Sequence, residues 1–111
     1  MERRIRLQRT SDVRRVCSEG RSWLHPLLVL VVRPSGLDFS RIGVMASRKV
    51  GGAVARNRAK RLMREAARRL YPRLRSGWDV VLIARGGILA AKERQVEEAL
   101  ALLLEQAGLS T

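Results

Sequence analysis

The chain has 111 residues, enough for one domain over residues 1–111 and too few for two. An apolar content of 46% excludes a fully disordered chain, and the short length leaves little room for both a core and a deep catalytic cleft. A formal net charge of +13 calls for a polyanionic partner, with nucleic acid the first candidate and an anionic membrane surface the second.

Thr10 and Ser11 are good N-cap residues, and Val13, Val16 and Cys17 follow at helical spacing, so a helix is predicted over Asp12–Glu19 with Gly20 as its stop. Trp23–Arg33 is rich in Leu and Val and predicts a strand, with Pro26 near its start. A turn at Pro34, Ser35 and Gly36 leads to a second strand over Arg41–Ser47, with Ile42, Val44 and Ala46 on one face. A long helix follows over Val54–Leu70, preceded by Gly51 and Gly52 and closed by Pro72. Asp79–Ala84 is a short buried strand, Gly86 and Gly87 break the chain, and Ala90–Gln106 is a last helix. The order is α-β-β-β-α-β-α once the first strand region is split. The expected fold is α+β: a two-layer sandwich of three helices and a mixed sheet of about four strands.

The charge is uneven. Residues 48–69 hold nine Arg and Lys against one acid, Glu65, whereas residues 79–111 hold three bases against five acids. At 100° per residue, Ala55, Ala59, Leu62, Met63, Ala66 and Leu70 share one side of the central helix. Asn57, Lys60, Arg61, Arg64 and Arg68 share the other, with Arg56 and Arg58 at the boundary. One stripe can pack on a sheet while the other faces a polyanion. Like charges at i, i+4 weaken the isolated helix slightly, and bound phosphates relieve that repulsion. Arg48 and Lys49 stand just before the two glycines, where a phosphate can approach the backbone at a helix start.

Catalytic groups are sparse. His25 is the only histidine and Cys17 the only cysteine, which excludes an intramolecular disulfide and a Cys/His metal site. Asp12, Asp38 and Asp79 lie near element boundaries, where capping and turn roles suffice. The segment 1–9 has no apolar stretch, and the longest apolar run, Leu27–Val32, is too short to cross a bilayer, so a cytoplasmic protein is expected.

The segment from Arg41 to Glu65, RIGVMASRKVGGAVARNRAKRLMRE, resembles the signature of the bacterial ribonuclease P protein component. The resemblance extends to Arg6-Leu7, Gly20 and Ile83-Ala84-Arg85. It implies a basic, non-catalytic subunit of an endoribonuclease, joined to a catalytic RNA that holds the Mg²⁺ and removes the 5′ leader of precursor tRNA. It also implies a left-handed β-α-β crossover around the basic helix, against the general rule that about 98% of such crossovers are right-handed. On this resemblance Arg48, Lys49, Arg56, Asn57, Arg58, Lys60, Arg61, Arg64 and Arg68 bind RNA. Val13, Cys17 and Val31 line a leader cleft where the family commonly has aromatic residues, with Trp23 as a nearby substitute. The expected partners are the catalytic RNA and precursor tRNA, with no membrane and no obligate protein partner. The alternative is a ribosomal or other structural RNA-binding protein without an enzymatic role. A membrane-surface helix fits poorly, because the apolar face is mostly Ala.

Overall fold

A computed structural model describes residues 2–111 as four strands and three α-helices with short 3₁₀ turns. A 3₁₀ turn at Arg3–Ile5 leads into α1 (Thr10–Glu19). β1 (Arg21–Leu24) and β2 (Leu28–Pro34) form a hairpin, and β3 (Arg41–Met45), α2 (Ala53–Leu70), β4 (Trp78–Ala84) and α3 (Glu93–Gln106) follow. The sheet order is β1-β2-β4-β3. β2 is antiparallel to both neighbours, while β3 and β4 are parallel and joined through α2, so the sheet is mixed.

The strand region does split at Pro26. The His25 N–H donates to the Leu28 carbonyl at 3.0 Å, and His25 Nδ1 accepts from the Leu27 N–H at 3.0 Å, so the lone histidine shapes a turn. α1 begins at Thr10 rather than Asp12; Arg9 is its N-cap, and no side chain caps it. The last helix begins at Glu93 rather than Ala90. Gly86–Ala90 form a 3₁₀ turn that buries Ile88, and Gln95 Oε1 then accepts from the Lys92 N–H at 2.8 Å.

Period-two alternation gives β2 and β4 two apolar faces. Leu28, Leu30, Val32, Val80 and Leu82 enter the main core under α2 and α3. Val31 and Val81 point the other way and meet Leu7 and Val16 beneath α1. The expected two layers therefore form the main sandwich, and α1 adds a partial third layer. Continuous apolar runs such as Leu-Val-Leu-Val-Val are what strands covered on both faces require. α2 lies over β3 and β4, and α3 packs beside it over β1 and β2.

Gly20 ends α1 for lack of space. Its backbone is extended, with φ −82°, and an added Cβ would lie 2.5 Å from the Val16 carbonyl oxygen and 2.6 Å from that of Val32. Asp79 is not a boundary cap. It is buried, and its carboxylate takes two hydrogen bonds from Arg41, at 2.8 and 2.7 Å, across the parallel β3–β4 pair. Arg41 also reaches Asp12 in the first turn of α1, at 3.9 Å. These bonds hold the Arg41 guanidinium above its ordinary pKa.

Candidate nucleic-acid interface

α2 forms because its Ala- and Arg-rich sequence has high helix propensity and one apolar stripe. Ala59, Leu62, Met63 and Ala66 are buried as projected, and Ala67 joins them because α3 flanks that side. Asn57, Arg58, Arg61, Arg64 and Arg68 line an open groove of about 740 Å³ along the free side, together with Val54, Glu65 and Arg6 from the N-terminal segment. Val54 is 86% exposed and gives the groove an apolar end. Lys60 is half-buried and faces a second concavity beside Val13, which Arg64 also lines.

The cations are not equivalent. Arg68 donates to Glu65 Oε2 at 2.9 and 3.2 Å, which lowers the Glu65 pKa and occupies that guanidinium. Arg69 pairs with Glu97 on α3 at 3.3 Å. Arg58, Arg61 and Arg64 form no ion pair among the described residues. Arg56 is half-buried and lines neither concavity, so the two arginines expected at the boundary differ: Arg58 is exposed and joins the groove, whereas Arg56 is partly covered. Arg48 and Lys49 are exposed in the turn before α2. Gly52 is the N-cap of α2, whose first turn has no side-chain cap and no acid.

The three residues expected in the leader cleft separate by depth. Val31 is only 5% exposed and belongs to the small core under α1, so it supports this surface from below. Val13 is half-buried and Cys17 is exposed on α1. Trp23 cannot substitute for them: it pairs with Leu30 and packs on the opposite face of the sheet. The open apolar surface is the next row of the sheet. Leu24, Val29, Ile83 and Met45 lie in register across all four strands, on the face that α1 covers only in part. Cys17 Sγ lies 3.8 Å from Met45 Sδ and closes one end of the row. Burial raises the Cys17 thiol pKa. Strand alternation puts Val29 and Ile83 on the same face as Val31 and Val81, and the part left open depends on where α1 stops.

No group of three or more His, Cys, Asp or Glu that could hold a metal ion comes together among the described residues. No helix among the described residues is long and apolar enough to cross a membrane.

Together these features define a small, strongly basic α+β protein of the polyanion-binding class, with a cationic helix groove beside an aliphatic sheet face. A family model described as Ribonuclease P matches residues 1–108. The ribonuclease P protein component of Herpetosiphon aurantiacus is 46% identical over 109 residues, covering 98% of this chain and 89% of the relative. That of Chloroflexus aurantiacus is 44% identical over 110 residues, covering 98% and 82%. The solved RNase P protein of Staphylococcus aureus superposes with a TM-score of 0.84 at 26% identity, covering 96% of this chain and 98% of that one. The Thermotoga maritima RNase P protein gives 0.81 at 33%, covering 91% and 96%. The chain belongs to the ribonuclease P protein-component family.

Proposed function

We propose that the α2 groove binds the catalytic RNA of ribonuclease P and that the Leu24–Val29–Ile83–Met45 row holds the 5′ leader of precursor tRNA. Family membership makes the chain the protein subunit of a ribonucleoprotein endonuclease of tRNA 5′ processing, with an RNA partner. The observation that carries the groove assignment is the set of guanidinium groups of Arg58, Arg61 and Arg64 on one exposed helix face, none of them in an ion pair among the described residues. Guanidinium groups bind phosphate oxygens bidentately, so the groove can follow an RNA backbone without reading bases. The RNA would hold the Mg²⁺ that activates water. This chain's part is to bind, orient and neutralise, and it would act in the cytoplasm.

The aliphatic row supports leader binding by apolar contact alone. Stacking on an aromatic side chain contributes about 1–3 kcal/mol per base, and this surface offers none. The leader is therefore held loosely and with little base preference. Cys17 provides the readout. Its raised pKa makes alkylation by iodoacetamide at pH 8 slower than that of free cysteine. A single-stranded leader oligonucleotide should slow it several-fold further; an unchanged rate at saturating RNA would remove Cys17 from the leader surface.

The whole reading is tested by reconstitution. Adding the chain to a bacterial ribonuclease P RNA at low Mg²⁺ should increase precursor-tRNA cleavage at the mature 5′ end. With roughly six phosphate contacts, affinity for that RNA should fall about 10³-fold between about 50 and 200 mM salt. No increase in cleavage across a Mg²⁺ titration would count against the assignment. Sedimentation with ribosomal subunits instead of one structured RNA would favour a structural ribosomal role.

A further inference from the structure

We propose that Arg6, Gln8, Lys60 and Arg64 form a seat for one phosphate group of an RNA strand, where the α2 groove meets the α1 face. This deepens the RNA-binding reading above and rests on it. The four side chains line a concavity of about 320 Å³ whose floor is Ile42 and Gly43 of β3 and whose far wall is Val13 of α1. Three of the four are cations, drawn from two chain segments far apart in sequence, and no acid lines the concavity. Arg6, Lys60 and Arg64 form no ion pair among the described residues. Arg6 and Arg64 also line the α2 groove, and Val13 belongs to the α1 face, so a strand passing from one surface to the other crosses this point.

The N-terminal segment is fixed there by the fold. Arg6 bridges Ile42 in parallel along the open edge of β3, and the Leu7 N–H donates to the Ile42 carbonyl at 2.8 Å. Leu7 is buried in the small core under α1, which anchors the segment from its other side. Gly43 permits this approach: an added Cβ would lie 2.7 Å from the Leu7 carbonyl oxygen and 3.3 Å from the Leu7 Cβ. Any side chain at 43 would push the segment, and Arg6 with it, off the strand edge. The close approach thus brings a cation from outside α2 to face Lys60 and Arg64. Three converging cations repel one another, and an anion with several acceptor oxygens relieves that repulsion with charge-assisted hydrogen bonds. Gln8 adds a neutral donor to the same ligand.

Inorganic phosphate titrated into the full chain, followed by amide NMR, tests the seat. Saturable shifts are expected at the Leu7, Gly43 and Val44 amides. Arg6→Gln should weaken phosphate binding by about tenfold or more, the effect of losing one hydrogen bond to a charged group. The Arg6 side chain is exposed and makes no internal hydrogen bond among the described residues, so this substitution spares the fold. Arg94→Gln, on α3 and away from both concavities, should leave these shifts unchanged. A short single-stranded RNA should displace the phosphate, and Arg6→Gln should lower the salt slope of RNA binding by about one.

Shifts that never saturate, or saturable shifts that Arg6→Gln leaves intact, overturn the seat. Phosphate binding that RNA fails to displace makes it a free-anion site and overturns the RNA assignment. Catalytic-RNA binding by the unmodified chain, measured alongside, separates the two failures. If it persists without the phosphate effect, only the seat fails; if it is absent, the underlying reading fails.

Discussion

Replacing both Arg58 and Arg61 with Ala is expected to weaken binding of the catalytic RNA about 100-fold near physiological salt, at about tenfold per lost charge-assisted contact. Both side chains are exposed along the same groove, and neither pairs with an acid among the described residues. The slope of log affinity against log salt should fall by about two, because two phosphate contacts and their released counterions are lost. The fold should not suffer. Alanine is the strongest helix former, and the substitutions remove like-charge repulsion, so the melting temperature should hold or rise slightly. Fluorescence anisotropy across a salt series, with a circular-dichroism melt of the same proteins, checks both statements. Arg68→Ala should cost less, since Glu65 already holds that guanidinium.

The second large effect is on stability. Asp79→Ala should destabilise the protein by about 2–4 kcal/mol, somewhat below the range of about 3–5 kcal/mol for breaking a fully buried ion pair. The buried carboxylate accepts two hydrogen bonds from Arg41, which is itself only partly covered, so its stranded charge keeps some solvation. For a domain of this size that corresponds to a fall in melting temperature of roughly 10–20 °C. Asp79→Asn keeps the shape and an acceptor oxygen and should cost less. Because Arg41 also reaches Asp12, the loss should loosen the start of α1 as well as the β3–β4 pair. Thermal denaturation compared with faster hydrogen exchange in Thr10–Glu19 reads both; an unchanged melt would mean that the pair adds nothing to the fold.

Much of this architecture was legible because local pattern and tertiary demand agree. The alternation in Leu28–Pro34 and Trp78–Ala84 places side chains on two faces, and the helical stripe of α2 separates core from charge. The basic segment at 48–69 pointed to a polyanionic partner through composition alone. What escaped the sequence depends on contacts between distant residues. The Arg41–Asp79 pair spans 38 positions. Ser40 is buried because its hydroxyl donates to the Arg75 carbonyl at 2.6 Å and accepts from the Trp78 N–H at 3.0 Å, a knot that no local pattern encodes.

The binding surfaces divide in the same way. The projection correctly placed Asn57, Arg61 and Arg64 on the free side, but it could not separate Arg58 from Arg56, since neighbours decide which boundary residue stays open. Arg6 joins the groove only because its segment docks on the edge of β3. Trp23, attractive as an aromatic, lies on the wrong face by one step of the pleat, and a one-residue step reverses every side chain in a strand. Val31 is core, while Met45 and Ile83, one and two strands further along the sequence, lie in the open row.

RNA binding by the α2 groove, as proposed above, differs from attraction by the net charge of the chain in what a given lost charge should cost. Two charge-matched double variants test it most directly through their dissociation constants for the catalytic RNA at one salt concentration. Arg58→Ala with Arg61→Ala strips the groove. Arg21→Ala with Arg94→Ala removes the same charge from the far side, where Arg21 rests on Trp23 of β1 and Arg94 pairs with Glu98 of α3. The groove variant should bind about 100-fold more weakly, and the far-side variant should stay close to the unmodified chain, since rim charges outside a contact act mainly through long-range screened attraction. Equal losses in the two variants would rule out the groove as the RNA-binding surface and leave only a diffuse electrostatic attraction.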